Sequence, residues 1–226
     1  MIPKKFLPKA FKQDLKTLKT LNFRQKIRFI FDYYKGQIFA LFVCLLFLFY
    51  IGDFVYQSSL VIDLQGFFIN DRQNLFPAEE LISDFSAYQK TPSGHRICFE
   101  DSLYVTPGSS NQYNAASQEK IVSYVAAKQL DFLIAPQDLA AYYADSFLLY
   151  DLNELLPEHL KDELKEDFYY AKDGTGREKA CGLNLRRSNF LKNPVYDGAE
   201  DYYLLVPSYT PRTDAVVSFI EYAYGL

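Results

Sequence analysis

Apolar residues form one uninterrupted block near the start of the chain, at 38–52 (IFALFVCLLFLFYIG), and the block carries no charge. Residues 54–56 (FVY) continue it past Asp53. The apolar stretch is then about 20 residues, or roughly 30 Å of helix, which matches the hydrocarbon thickness of a bilayer. The pattern predicts a transmembrane helix within residues 36–57.

Over the rest of the chain, short apolar runs alternate with segments of helical periodicity. Strands are predicted for SLVIDL (59–64), HRICFE (95–100), DFLIA (131–135) and DYYLLVP (201–207). Helices, with Pro or Ser at several of their starts, are predicted at 77–89, 117–130, 136–144, 152–167 and 213–225. A hairpin is predicted over 170–185, with Asp173-Gly174 at its turn.

This alternation predicts an α/β fold in which residues 58–226 form one domain with a mainly parallel sheet. Its expected core contains Val61, Phe85, Ile121, Val125, Leu133, Leu139, Leu205 and Phe219.

The charge distribution predicts the orientation in the membrane. Residues 1–35 hold ten Lys/Arg and two acids, a net charge of +8. The remaining residues hold fourteen Lys/Arg and twenty-six acids, a net charge of −12. Basic flanks stay in the cytoplasm, so we expect a single-pass protein of the cell membrane with a cytoplasmic N-terminus and an extracytoplasmic domain. A cleaved signal peptide is disfavoured, because the basic region is long and no A-x-A-like site follows the apolar block.

The arm, residues 1–35, has apolar residues at helical spacing among its basic ones. Asn22 and Gln25 have the spacing of a capping box, so one helix is expected to end near Thr20 and another to begin at Phe23. The arm is either a basic amphipathic helix on anionic membrane lipid or a plain topology determinant. In the first case its lipid contacts are Lys12, Lys16, Lys19, Arg24 and Arg28. Nucleic acid is disfavoured, because the charge adjoins a membrane span.

One part of the domain suggests a family. Within residues 120–157, Leu130–Ile134 form an Asp-hydrophobic strand, residues 139–143 a short helix with a Tyr pair, and residues 151–156 the turn DLNELL. This segment resembles the extracellular solute-binding proteins of bacterial ABC importers. Residues 202–225 resemble the late strand, polar loop and closing helix of the same family.

The resemblance implies a reduced periplasmic-binding-protein-like domain, because full binding proteins have two lobes and residues 58–226 are too few for both. It implies a binding or accessory module of a transporter or another membrane complex, with a membrane protein partner and room for a small-molecule ligand. The alternative is a structural or assembly protein of the cell envelope that binds a protein partner and no small molecule. The missing length favours this alternative, since a reduced lobe weakens the cleft between lobes.

Catalytic chemistry is not indicated, and we expect no enzyme, metal or cofactor. The two histidines, His95 and His159, lie 64 residues apart, without the ligand spacing of a zinc site. The sequence contains no G-x-S-x-G, P-loop or dinucleotide-binding motif.

Binding residues are expected beyond the carboxyl ends of the predicted strands, where open α/β sheets hold their ligands. The loops concerned are 65–74, 135–138 and 207–210. The candidate ligand- or partner-binding residues are Gln137, Asp138, Ser208, Tyr209 and Thr210. If the loops share a cleft, helix N-terminal amides there hold an anionic or carbonyl group. Otherwise the same side chains cap helices and tighten turns.

Two cysteines, Cys98 and Cys181, lie in the predicted extracytoplasmic domain. They permit a disulfide that closes a loop of about 80 residues. They are equally consistent with two buried thiols that pack as small hydrophobes. Strand alternation places Cys98 on the opposite face from Ile97 and Phe99.

Overall fold

The computed structural model describes residues 20–172, 176–192, 196 and 198–226, apart from the side chains at 30 and 33. The chain divides into two compact units between Ser59 and Leu60. Several predicted features lie outside the described residues, namely Lys12, Lys16, Lys19 and the Asp173-Gly174 turn.

In the described part of the first unit, the long helix α1 spans Phe23–Ser59 and has 37 residues. A reciprocal capping box begins it: the Gln25 N–H donates to Asn22 Oδ1 at 3.3 Å, and the Asn22 N–H donates to Gln25 Oε1 at 3.2 Å. Thr20 is helical and Leu21 is a bend, so the predicted break between two helices is confirmed. The capping box satisfies amides that a helix start otherwise leaves unpaired.

The apolar part of α1 is Tyr34–Ser59, 26 residues long, and no residue of its most apolar window is buried. At 1.5 Å per residue it measures about 39 Å, which exceeds the hydrocarbon core of a bilayer. By length and composition this helix can cross a membrane. Arg24 and Arg28 lie on the same continuous helix, and Arg28 forms an exposed ion pair with Asp32 at 4.0 Å.

The second unit is built on one sheet. Its strands in the described residues are β1 (Val61–Ile69), β2 (His95–Leu103), β3 (Phe132–Pro136), β4 (Phe168–Lys172), β5 (Glu178–Asn184) and β6 (Tyr202–Leu205). The strand order is β2-β1-β3-β6-β5-β4. The pairs β1–β2 and β1–β3 are parallel, whereas β3–β6, β6–β5 and β5–β4 are antiparallel.

The α/β class and the β4–β5 hairpin are confirmed, and the sheet is mixed. Its β2-β1-β3 half is parallel because helical crossovers join those strands. In its described residues, the β5–β6 connection has 3-10 turns at Leu185–Arg187 and Asn189–Lys192, and β6 returns antiparallel to β5. Strand β6 therefore runs opposite to β3 as well.

Helices cover both faces of the sheet in three layers. They are α2 (Ala78–Gln89), α3 (Gln112–Ala126), α4 (Gln137–Ser146), α5 (Leu152–Leu155), α6 (Glu158–Leu164) and α7 (Thr213–Tyr224). On one face, Leu81 and Phe85 of α2 and Phe219 of α7 share a core with β1 and β3. On the other, α3 and α4 contribute Ile121, Leu139 and Tyr143.

Two predicted helices differ from the observed ones. Helix α3 begins five residues early, because Asn111 Oδ1 accepts the Tyr113 N–H at 2.8 Å, and the expected cap, Ser117, is buried within the helix. The predicted helix 152–167 is interrupted at Pro157, whose ring nitrogen has no hydrogen to donate.

The strand order reverses at β1: the chain passes from β1 to β2 on one side and returns to β3 on the other. The end of the sheet that contains Ile69, Pro136 and Tyr202 is called the carboxyl end, because β1 and β3 end there. The opposite end, which contains Val61, Phe132 and Leu205, is called the amino end. In open α/β sheets, ligands bind at the carboxyl end beside such a reversal.

Candidate functional site

The carboxyl end of the sheet holds an open pocket of about 470 Å³. The backbone N–H of Gln137, the first residue of α4, donates to the Asp201 carbonyl at 3.0 Å and so joins the β3–α4 loop to the start of β6. The pocket between them is lined by Gln137, Asp138, Ala141, Tyr169, Glu200 and Asp201. Two of the five predicted binding residues, Gln137 and Asp138, therefore lie together in one pocket.

The pocket is acidic. Asp138, Glu200 and Asp201 contribute three carboxylates. Of these three, only Asp201 forms an ion pair with an arginine: Arg186 Nη2 lies 2.7 Å and Nε 2.8 Å from Asp201 Oδ1. The Asp201 carboxylate raises the pKa of the Arg186 guanidinium, which therefore keeps its charge. Two negative charges remain, so the pocket favours a positively charged group.

The start of α4 is not open to an anion. Its Gln137 amide is paired with the Asp201 carbonyl, and the Leu139 N–H lies 2.8 Å from Asp138 Oδ1. An incoming anion would meet the Asp138 carboxylate at the position where the helix dipole would otherwise attract it. The geometry therefore opposes the anionic group expected for this loop.

Beside the pocket, the end of β1 is fixed by its own side chains. Asn70, at φ 58°, accepts the Val105 N–H at 2.8 Å and donates to the Val105 carbonyl at 2.9 Å. Asp71 accepts the amides of Leu75 and Phe76 at 2.8 and 2.7 Å. These bonds fix the backbone that follows β1. Residues 65–69 of the predicted loop belong to β1 itself, and no residue of 65–74 lines the pocket.

A buried phenol links this segment to the pocket. The Tyr202 hydroxyl lies 3.4 Å from the Asn70 carbonyl and 3.3 Å from Glu200 Oε2. Burial, followed by the charges of Glu200 and Asp71, raises the pKa of Tyr202. The hydroxyl thus stays protonated and donates to the acidic rim. Sequence reasoning missed Glu200, Asp201 and Arg186, because the acids precede a strand that was expected to run the other way.

The other three predicted residues lie at the amino end of the sheet, because β6 is antiparallel to β3. Ser208 lines a separate, smaller pocket of about 240 Å³. Tyr209 is exposed, with the Lys128 ammonium 5.1 Å from its ring centroid. Thr210 is buried and donates to the Asp131 carboxylate. The loops 135–138 and 207–210 therefore do not share a cleft.

The three cysteines, all within the described residues, are free, so of the two alternatives for Cys98 and Cys181 the disulfide is not formed. Cys98 lies on β2 and Cys181 on β5, with β1, β3 and β6 between them. Four strand spacings amount to about 19 Å, whereas a disulfide requires Cα atoms within about 7 Å. Burial raises the pKa of both thiols, as expected for cysteines that pack as small hydrophobes.

Among the residues that the structure describes, no group of three or more His, Cys, Asp or Glu side chains is placed to hold a metal ion. Comparison of the chain with protein-family models, curated proteins and solved structures finds no match. The candidate site accordingly rests on the strand reversal at β1 and on the acidic pocket at the carboxyl end of the sheet.

Proposed function

We propose that the chain is a single-pass membrane protein whose α/β domain is a binding or accessory module of a transporter or another membrane complex. The observation that carries the proposal is Tyr34–Ser59, a 26-residue helical segment that is apolar enough to cross a membrane and whose most apolar window contains no buried residue. Along the chain it ends one residue before β1 of the α/β domain. An unburied apolar helix of this length is unfavourable in water, and a bilayer offers it an apolar surrounding.

In this proposal the N-terminus is cytoplasmic and the domain extracytoplasmic, as the net charges of +8 before residue 36 and −12 after it favour. Arg24 and Arg28 lie on α1 within ten residues of Tyr34, which is roughly 15 Å or less along the helix. Their long side chains are close enough to the bilayer to contact anionic lipid headgroups.

The binding surface of the module is the carboxyl-end pocket. Its support is the coincidence of three features: the strand reversal at β1, a pocket of about 470 Å³, and an excess of carboxylates on its wall. This chemistry suits a primary amine or guanidinium, carried either by a solute or by a Lys or Arg side chain of a protein partner.

A second candidate is an assembly protein that binds a protein partner and no small molecule. One observation favours it: the described part of the domain has one sheet with one helical layer on each face. The cleft in which two-lobed binding proteins close on a solute needs a second lobe. An exposed pocket on a single lobe is more suited to a side chain of a docked protein.

The test is recovery of partners from the membrane. Tagged full-length protein is crosslinked in intact cells and extracted in mild detergent, and the co-purifying proteins and small molecules are identified by mass spectrometry. We expect a stoichiometric membrane protein, and recovery of a small amine would favour the solute-binding form. Purification with neither would refute the accessory role.

Substitutions then locate the surface. Gln137→Ala and Glu200→Gln alter the carboxyl-end pocket without removing a helix cap, and each should lower recovery of the partner several-fold. Tyr209→Ala, at the amino end, is the matched control and should leave recovery unchanged. Thermal unfolding of each variant must match the wild type. Loss of recovery in Tyr209→Ala alone would move the surface to the opposite end of the sheet.

A further inference from the structure

A second pocket, of about 240 Å³, lies at the amino end of the sheet and has walls of opposite charge. Its basic side is the start of β5, with Lys179 and the preceding Arg177. Its acidic side is the first turn of α5, with Asp151 and Glu154. Ser208 adds a hydroxyl group at the rim.

The backbone around this pocket is held by hydrogen bonds. Leu149 forms an antiparallel bridge with Pro207. The Tyr150 N–H donates to the Val206 carbonyl, and the Ser208 N–H donates to the Leu148 carbonyl, both at 2.8 Å. The pocket therefore has a preformed wall, which reduces the ordering cost of binding a ligand.

The charged groups are held in place as well. The Lys179 ammonium donates to the Leu149 carbonyl at 2.9 Å, which uses one of its three hydrogens. Asp151 Oδ1 accepts the Asn153 N–H at 2.9 Å and so caps α5.

Size and charge together define the ligand. The volume is below the roughly 300–1,000 Å³ of pockets for drug-sized molecules, so it suits a compound of about ten heavy atoms or fewer. A simple anion would be repelled by Asp151 and Glu154, and a simple amine by Arg177 and Lys179. A molecule that carries both charges a few ångströms apart satisfies both walls.

We propose that this pocket binds a small zwitterion of the α-amino-acid type, with its carboxylate toward Lys179 and Arg177 and its ammonium toward Asp151 and Glu154. The site is at the opposite end of the sheet from the acidic pocket and does not depend on a protein partner. It gives the domain a small-molecule ligand of its own, in addition to the partner surface.

The direct test is calorimetric titration of the full-length protein in detergent micelles. The probes are L-alanine and L-serine, with propionate as the carboxylate-only control and isopropylamine as the amine-only control. We expect the amino acids to bind at least tenfold more tightly than either control. Equal binding of one single-charge probe, or no binding of either amino acid at millimolar concentration, would overturn the proposal.

Variants on the two walls assign the site. Lys179→Met and Glu154→Gln should each weaken amino-acid binding at least tenfold, whereas Lys179→Arg should retain it. The matched controls are Lys172→Met and Glu119→Gln, which change exposed residues outside the pocket and should bind like the wild type. Glu154 is itself exposed, so its substitution tests the site even if Lys179→Met impairs folding. Wild-type binding in Glu154→Gln and Lys179→Met would place the site elsewhere.

The result is separable from that of the partner experiment. Amino-acid binding is measured on purified protein, and partner recovery is measured in cells with Gln137→Ala and Glu200→Gln. Loss of partner recovery in those two variants with intact amino-acid binding would support both sites as independent. Loss of amino-acid binding in Gln137→Ala would show that the two ends are not independent and would count against the amino-end site.

Discussion

Arg212 donates to both oxygens of the fully buried Asp131 carboxylate through a single nitrogen, Nε, which lies 2.9 Å from Oδ1 and 2.8 Å from Oδ2. The backbone N–H of Gln65 adds a bond to Oδ2 at 2.7 Å, and Thr210 donates to Oδ1. The remaining guanidinium nitrogens reach the Ile62 and Gln129 carbonyls. One ion pair thus joins β1, the start of β3 and the start of α7.

Arg212→Met is expected to destabilise the domain by about 3–5 kcal/mol, because it leaves the Asp131 charge buried without its cation. Denaturant unfolding of the purified protein measures this loss. Arg186→Met is the control: the Arg186 side chain is 59 % exposed and the Asp201 side chain 19 %, whereas the Asp131 side chain is fully buried, so loss of the Arg186–Asp201 pair should cost far less. Similar effects of the two substitutions would contradict the role assigned to burial.

Gly66→Ala tests the packing of the sheet. A Cβ at Gly66 would lie 2.2 Å from Cζ of Phe132, its partner on β3, whose ring also stacks on Phe219 at 4.4 Å between centroids. The ring has no space to move, so we expect a loss of about 1–3 kcal/mol or more. Gly182→Ala is the comparison: its clash is with the flexible tip of Leu205, at 2.7 Å, and should cost less. Equal stability of Gly66→Ala and the wild type would refute this packing.

Local features were predictable from the sequence because their causes are local. The capping box of Asn22 and Gln25 needs only residues three apart, and the apolar block needs only composition. The strands appeared where apolar runs occur. Most expected core residues are buried, but Val61 is 54 % exposed, because it begins β1 at the very end of the sheet.

Long-range features were not predictable from one sequence. The direction of β6 depends on the length and path of the chain after β5, which an apolar run such as DYYLLVP does not reveal. The expected direction placed Ser208 at the same end of the sheet as Gln137, whereas the observed direction places Glu200 and Asp201 there and Ser208 at the opposite end. Asp131 and Arg212 are 81 residues apart, and no local pattern pairs them.

Alkaline conditions should destabilise the domain through its buried tyrosines. Burial is the largest cause of the raised pKa of Tyr143, Tyr202 and Tyr224. In the unfolded chain these phenols ionise near pH 10, while in the folded domain they stay neutral to higher pH. The contribution of these neutral phenols to the free energy of unfolding is therefore complete below about pH 10 and is lost as the pH rises above it.

Tyr143→Phe isolates one of these phenols. Its hydroxyl is buried with no hydrogen-bond partner in the described structure, so its removal should change stability at neutral pH by no more than about 1 kcal/mol. The fall in stability above about pH 10 should become shallower. Unfolding free energies measured from neutral to alkaline pH check both points. A fall as steep as that of the wild type would contradict the assignment of this phenol.

The final prediction concerns the orientation of α1. A reporter enzyme that is active only outside the cytoplasm, fused after Leu226, should be active. Orientation is set by Lys and Arg close to the span. Simultaneous substitution of Arg24, Lys26, Arg28 and Lys35 by Gln should therefore lower reporter activity. Replacing Lys90, Lys128, Lys161 and Lys192 of the domain with Gln is the matched control, because these residues lie far from the span in sequence and should not affect insertion. Reporter activity confined to the cytoplasm in the wild type would overturn the topology, and with it the proposal of an extracytoplasmic module.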